Sequence, residues 1–450
     1  MSASSPGLTY QQALRALEER GRFGVRLGLG RTRALLRDLG DPQRTVRGAL
    51  IAGTNGKGSV LAFTDAALRA AGLRVGTTPK PHLVTYRERI QVDGHPIGAD
   101  DFARLVERVL GASDRIAARH GQPTEFELLT AVVFARFAEV RPDVAVVEVG
   151  LGGRLDATHA WDGGVAAVTN VDLDHTDRLG GTITAIAREK AAIIERGDLA
   201  VTGARGDGLA VIRRRARRLG VPLTEVAPAP ILGWDRDGID VELPRLGRTR
   251  IGLRGRHQAA NVAVADAVLD ALAEAGIART DPAARRAGYA AAIWPGRLEL
   301  LTVAGRDVLL DGAHNPAGAA ALATALDDLR PFLTEGRLIL VTASMADKDV
   351  NGIVAALGAA RSMVDATIVC TSLGLDRAMP ATDLAAHWQA GFPAARISAE
   401  PDHRAALGQA MVGRASGPVV VAGSLYLVGA ARAILVDDPH LRDPDPPEDA

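Results

Sequence analysis

The stretch Arg47-Gly-Ala-Leu-Ile-Ala-Gly-Thr-Asn-Gly-Lys-Gly-Ser-Val60 constrains this chain more than any other. Ala49 to Ala52 is a short apolar run that reads as a buried strand. Gly53, Gly56 and Gly58 then break it, and from Ser59 onward Val60, Leu61, Phe63, Ala67 and Leu68 return at helical spacing. Strand, glycine loop and helix together offer backbone N–H groups and a positive helix end to a phosphate chain. In that frame Thr54, Asn55, Gly56, Lys57, Gly58 and Ser59 line a nucleotide, with Lys57 reaching the outer phosphates and the Ser59 hydroxyl meeting a magnesium ion. The strict Walker pattern is not met, because Ile51 stands where its first glycine belongs and Gly58 follows the lysine. A plain tight turn is the competing reading, and the rest of the chain has to decide.

Beyond this loop, apolar runs and helical patterns alternate. Leu73–Thr77, Asp143–Val149, Val165–Val171 and Leu199–Gly203 read as strands, and Phe102–Ala118, Glu125–Glu139 and His257–Ala275 as helices. Such alternation predicts an α/β fold, a P-loop-type, doubly wound, mostly parallel sheet. Strands at Val308–Leu310, Leu338–Thr342, Ala366–Cys370 and Pro418–Ala422 predict a smaller Rossmann-like α/β domain after it. At 450 residues more than one core is expected, and the boundaries are drawn at 1–293, 294–434 and a disordered acidic tail, 435–450. Acidic and basic residues cancel at 53 each, so no global field points to nucleic acid or a membrane surface. The basic run Arg213–Arg218 lacks interleaved aromatics and reads as a solvated helix face. A single cysteine, Cys370, excludes an intramolecular disulfide and a cysteine zinc cage. With no apolar run of about 18 residues and no signal-peptide core, the expectation is a soluble cytoplasmic protein.

Two strand ends carry groups that a buried sheet does not need. Glu148 closes an apolar strand and precedes the glycine turn Gly150-Leu-Gly-Gly-Arg154-Leu-Asp156. It is either a strand-edge carboxylate paired with an arginine or a magnesium ligand facing the phosphates. His175, flanked by Asp172 and Asp174 after another strand, has the same ambiguity. Lys190 lies among the apolar residues of a helix, where an ammonium is costly unless paired, modified or led to the surface. Periodicity alone gives it no role.

Further motifs accompany these. They are Pro81-His-Leu83 with Arg87-Glu-Arg-Ile90, Phe126-Glu127-Leu-Leu-Thr130, Glu148 through Thr158, Asp174-His-Thr176, Glu189-Lys190-Ala, His257-Gln258 with Asn261, Pro295-Gly-Arg297, Asp311-Gly-Ala-His-Asn-Pro316, Asp347-Lys-Asp349 and Gly423-Ser-Leu-Tyr426. With the glycine loop, and in this order, they resemble the dihydrofolate synthase/folylpolyglutamate synthase family of the Mur ligase superfamily, from about residue 9 to residue 432. The resemblance implies an ATP-dependent ligase that joins L-glutamate to a pterin carboxylic acid (dihydropteroate or tetrahydrofolate) through an acyl phosphate, releasing ADP and phosphate. It implies two magnesium sites, with Ser59, Glu148, His175 and Lys190 as a carbamate for ligands, and a monovalent cation as a further candidate. Lys57, Lys190 and His314 take the catalytic roles. Asn261 meets the adenine, Arg297 the phosphates and Asp311 the ribose. His82, Thr124, Phe126, Glu127, Leu155 and Asp156 contact the pterin acid. The site is expected between two domains of a monomer, the second holding glutamate.

Three positions depart from the family pattern. Lys80 stands where a serine usually ligates magnesium, and an ammonium cannot ligate a metal. It either supplies part of the metal's charge, points into solvent, or marks a changed metal requirement. Gly30 replaces a common glutamate in the first loop, and His159 a common asparagine. Lys80 and Gly30 leave a second reading, a ligase of the same superfamily acting on a different, specialised acid. A non-catalytic nucleotide-binding protein is disfavoured by Glu148, His175, Lys190 and Asp311.

Overall fold

A computed structural model describes residues 7–21, 28–393, 395–412 and 417–445. The chain gathers into two compact units, one of residues 1–229, 260–289 and 440–450, the other of residues 230–259 and 290–439.

In the first unit one sheet contains β1 (Gly48–Ala52), β2 (Val75–Thr78), β3 (Gln91–Val92), β4 (His95–Pro96), β5 (Val144–Glu148), β6 (Gly164–Val168), β7 (Leu199–Thr202) and β8 (Leu223–Glu225). Their order is β4-β3-β2-β5-β1-β6-β7-β8. The pairs from β2 through β8 are parallel, and β3 and β4 turn back antiparallel around Asp93-Gly94. β1 is buried at every residue, which its uninterrupted apolar sequence requires of a central parallel strand. The registers set the carboxyl ends level: Ile51 faces Glu148, Ala52 faces Val168 and Thr78 faces Val147. The loops that begin at Gly53, Pro79, Val149 and Thr169 therefore open on one edge, where open α/β sheets bind ligands.

Two N-terminal helices are present, Tyr10–Gly21 and Gly30–Asp38, and residues 22–27 of the loop between them lie outside the described residues. The tail differs from expectation. Thr85 Oγ1 and Arg87 Nε both donate to Asp443 Oδ1, at 2.6 and 3.2 Å. Arg87 Nη2 donates to the Arg442 carbonyl at 2.7 Å, and Gln11 Nε2 to the Pro444 carbonyl at 2.8 Å. A buried guanidinium needs such acceptors. Residues 446–450 lie outside the described residues.

The second unit holds an antiparallel sheet of β9 (Ile231–Asp235), β10 (Gly238–Leu243) and β11 (Gly247–Ile251), in the order β11-β10-β9. Its larger sheet contains β12 (Glu299–Val303), β13 (Arg306–Leu310), β14 (Ile339–Thr342), β15 (Thr367–Thr371), β16 (Arg396–Glu400) and β17 (Val419–Ala422), in the order β12-β13-β17-β14-β15-β16. Only β12 runs antiparallel. The four strands expected here are present. The edge strands β12 and β16, half-exposed and without a continuous apolar run, are additions. Residues 230–259 join this unit rather than the preceding sequence because their side chains are tied into it. Arg236 Nη1 donates to Asp307 Oδ2 at 2.9 Å, Arg256 grips both oxygens of Asp328 at 2.7 Å, and the Arg256 guanidinium lies 4.5 Å from the Trp234 ring centroid.

Candidate active site

The glycine loop after β1 is shaped by a residue that the sequence reading passed over. Asn170, just beyond β6, accepts on its side-chain oxygen the N–H groups of Thr54 (3.1 Å) and Asn55 (2.9 Å). Thr169 Oγ1 donates to the Asn55 carbonyl at 2.6 Å, and Thr54 Oγ1 to the Asp172 carbonyl at 3.1 Å. Side chains from the end of β6 thus hold the loop open. Gly56, with φ of 80°, lies in the left-handed region where glycine avoids strain, and a Cβ there would strike the Asn261 side chain. Asn261 is therefore placed against the loop. The helix Lys57–Ala70 starts at once, so the N–H groups of Lys57, Gly58 and Ser59 have no intrahelical acceptor and form the end that favours anions. Lys57 Nζ folds over the loop, donating to the carbonyls of Gly53 (3.0 Å) and Thr54 (3.2 Å).

One cavity in the first unit brings Gly53, Thr54 and Lys57 together with Asp174, His175 and Lys190. Lys190 is only 4 % exposed. Burial, then the Lys57 charge, brings its amine down to about 7, with Asp174 acting the other way. An amine in that range is substantially neutral near pH 7, the form that adds carbon dioxide. His175 has a left-handed backbone (φ 48°), and its Nε2 lies 3.8 Å from Asp174 Oδ2. Among the described residues no three His, Cys, Asp or Glu side chains form a metal cluster. An imidazole, a carboxylate and a carbamate on Lys190 would make a donor set that suits a divalent ion. The residues fit magnesium on that condition.

Glu148 is placed differently. It does not line this cavity; its Oε2 accepts the Lys80 N–H at 2.9 Å, and Lys80 Nζ donates to the Glu148 carbonyl at 2.6 Å. Burial holds the Lys80 ammonium down to about 8 despite the fields of Asp156 and Glu148. Its side chain lines a second cavity with Thr78, Arg89, Phe126 and Thr158 and is half-buried. The Thr78 hydroxyl, buried in the same wall, has no protein partner.

The residues expected on the acid substrate divide into two groups. His82 and Phe126 offer surfaces. The His82 ring packs 4.3 Å from Tyr86, and its Nδ1 accepts from Arg89 Nε at 2.8 Å. An arginine cannot accept, so Nδ1 carries the lone pair and Nε2 the hydrogen. Burial and then Arg89 take this imidazole down to about 3, and it is neutral near pH 7. Thr124, Glu127 and Asp156 are instead bound up in the protein. Thr124 and Glu127 close a capping box on the helix Glu125–Val140, and Arg31 Nε donates to Glu127 Oε2 at 3.0 Å. Asp156 accepts the N–H groups of Leu151 (2.8 Å) and Thr158 (3.0 Å) and the Thr158 hydroxyl (2.5 Å). These three side chains shape the walls and the glycine turn. Leu155, in that same turn, is half-buried.

In the second unit Asp311 follows β13. Its oxygens accept the N–H groups of Leu298 and Ala313, both at 2.9 Å, and burial raises its carboxyl while Arg297 opposes the shift. A Cβ on Gly312 would strike the Arg297 guanidinium, so the glycine admits it beside Asp311. His314 Nδ1 donates to the Gly312 carbonyl at 2.7 Å, which leaves Nε2 as the acceptor of the neutral ring. Arg297, Asp311 and His314 are thus gathered at one strand end. Asn315 and Asp349, from two of the sequence motifs, are helix N-caps.

Residues 51–225 match the Mur ligase middle domain, and residues 296–425 match the Mur ligase glutamate ligase domain. The chain is 33% identical over 438 residues to the dihydrofolate synthase/folylpolyglutamate synthase of Bacillus subtilis, covering 94% of this chain and 98% of that one. It is 38% identical over 453 residues to the Mycobacterium tuberculosis protein of the same name, covering 92% and 91%. A solved structure of M. tuberculosis folylpolyglutamate synthase complexed with ADP and AMPPCP is similar at a TM-score of 0.82 and 34% identity, covering 96% of this chain and 100% of that one. An Escherichia coli FolC structure in complex with DHPP and ADP is similar at a TM-score of 0.80 and 30% identity, covering 96% and 99%.

Proposed function

The chain belongs to the dihydrofolate synthase/folylpolyglutamate synthase family, and from that premise we propose that it joins L-glutamate to a pterin carboxylic acid, dihydropteroate or tetrahydrofolate or both, at the expense of ATP. The observation that carries this reading is the cavity in which a nucleotide-type loop and Lys57 meet His175, Asp174 and the buried Lys190.

A carboxylate is a poor acyl donor, so its oxygen first attacks the γ-phosphate, and the glutamate amine then displaces phosphate from the acyl phosphate. Both steps need positioned positive charge more than covalent help from the protein. The first-turn N–H groups at Lys57, Gly58 and Ser59 hold the phosphates, Lys57 neutralises the outer ones, and Asn261 meets the base beside Gly56. Magnesium, held by Ser59, His175 and a carbamate on Lys190, would add divalent charge against the triphosphate. His82 offers Nε2–H, and Thr78 its hydroxyl, to the acid substrate beside the Phe126 ring. By the family resemblance, Arg297 serves the phosphates, Asp311 the ribose and His314 the reacting groups. We place the enzyme in the cytoplasm as a monomer; among the described residues no helix is long and apolar enough to cross a membrane.

The test is a product mass spectrum from purified protein given ATP, magnesium, glutamate and either dihydropteroate or tetrahydrofolate. One added glutamyl residue on at least one acid is expected. Phosphate release that needs neither acid nor amino acid, with no amide product, overturns the reading.

A further inference from the structure

Lys80 lies just past β2, next to Glu148 at the end of β5, in the position where the family resemblance gives a serine that ligates magnesium. Its ammonium has the surroundings of a bound cation. It donates to the Glu148 carbonyl at 2.6 Å and lies 5.2 Å from the Phe126 ring centroid, and the charges of Asp156 and Glu148 both favour it. The Glu148 carboxylate is held from the same residue, since its Oε2 accepts the Lys80 N–H at 2.9 Å. A carbonyl oxygen and two carboxylates are also what a divalent ion would seek. Two cations cannot share that corner without strong repulsion. The next residues, Val149 and Gly150, line the cavity that holds His175, Asp174 and Lys190, so the Lys80 ammonium stands at the edge of the region where the metal ligands are expected.

We propose that the Lys80 ammonium is the resident cation beside Glu148, and that this site takes one divalent ion, at His175 and Lys190, where the family resemblance implies two. Lys80 then supplies a fixed single charge and hydrogen-bond donors to the acid and phosphoryl groups at the β2 and β5 ends, and Glu148 orients Lys80 rather than ligating a metal. The inference rests on the ligase reading for the nucleotide and the acid, but not for the ion count.

The decisive measurement is the number of Mn2+ ions bound per chain in the presence of AMPPCP, read by electron paramagnetic resonance on wild type and Lys80→Ser. One ion in wild type and one more in the serine variant is the expected result. Equal counts in the two proteins, or two ions in wild type, overturn the proposal. Lys80→Met keeps the stem and removes the charge, and AMPPCP binding shows whether either variant is folded. Turnover of Lys80→Met is expected to fall at least about tenfold, as when one electrostatic donor is withdrawn from a charged transition state, while its Mn2+ count stays at one. Unchanged turnover in Lys80→Met also overturns the proposal. Failure of the ligase reading would appear separately, as absence of the glutamyl product, and would leave the ion count readable.

Discussion

A lysine as buried as Lys190 costs a folded protein several kcal/mol if it must stay charged, and nothing in its helical spacing explains why it is there. Conversion to a carbamate reverses the sign of the charge in the pocket it shares with His175 and Lys57. Lys190→Ala is expected to lower kcat by at least about a hundredfold while the circular dichroism spectrum stays unchanged. Asn170 acts one step back from the phosphates, and Asn170→Ala leaves the Asn55 N–H without its acceptor and the Thr54 N–H with the Asn170 main-chain carbonyl alone, at 3.2 Å. At about 1–2 kcal/mol for the loss, KM for ATP should rise about tenfold, with a smaller change in KM for the acid. A third residue sets a pH dependence far from the chemistry. Asp198, at the N-terminal edge of β7, is pushed up to about 7, chiefly by burial, with Asp162 adding to the shift. The folded state therefore keeps a proton that the unfolded chain loses near pH 3.8, so this contribution is fully present below that pH and is lost as pH rises through about 7. Calorimetry on Asp198→Asn should show a melting temperature that declines less than wild type over that window.

At the scale of elements, strand ends are what the sequence made most legible. Apolar runs that stop at a glycine, a carboxylate or a histidine marked the loops after β1, β5, β6 and β13 because a doubly covered parallel strand has no other use for such residues. Which atoms of those residues remain available was not legible. Glu127 and Asp156 read as substrate contacts, and their oxygens also accept within a capping box, from Arg31 and from the turn at Leu151 and Thr158. Sequence records residue type, whereas bonding is settled by partners far along the chain. The turn Tyr86–Arg89 shows this well. It holds His82 through Arg89 and is held in turn by Asp443 through Thr85 and Arg87. Asp443→Ala should destabilise the protein by about 1–2 kcal/mol, between the values for exposed and buried pairs. It should also raise KM for the acid more than KM for ATP. Equal effects on both would mean that the contact is purely structural.

For the whole molecule, the α/β class and the parallel sheets came from local patterns, but the partition of the chain did not. Residues 230–259 precede the expected boundary yet belong with the residues beyond it, because the bonds of Arg236 and Arg256 are non-local. A fragment of residues 1–293 is therefore expected to expose the face of β9–β11, lose cooperative unfolding and aggregate, as monitored by denaturant titration and light scattering. Cutting at the expected domain border would not yield a free-standing unit. The docked segment around Asp443 carries the same logic into synthesis. Arg87 and Asp443 lie 356 residues apart in the chain, so as the ribosome works from the N-terminus the early loop has to wait until Asp443 has been made. The first unit to emerge is thus still unfinished when the second has been made, and translation halted just before Asp443 would leave a protein with all three sheets encoded but the loop at Thr85 and Arg87 unfastened.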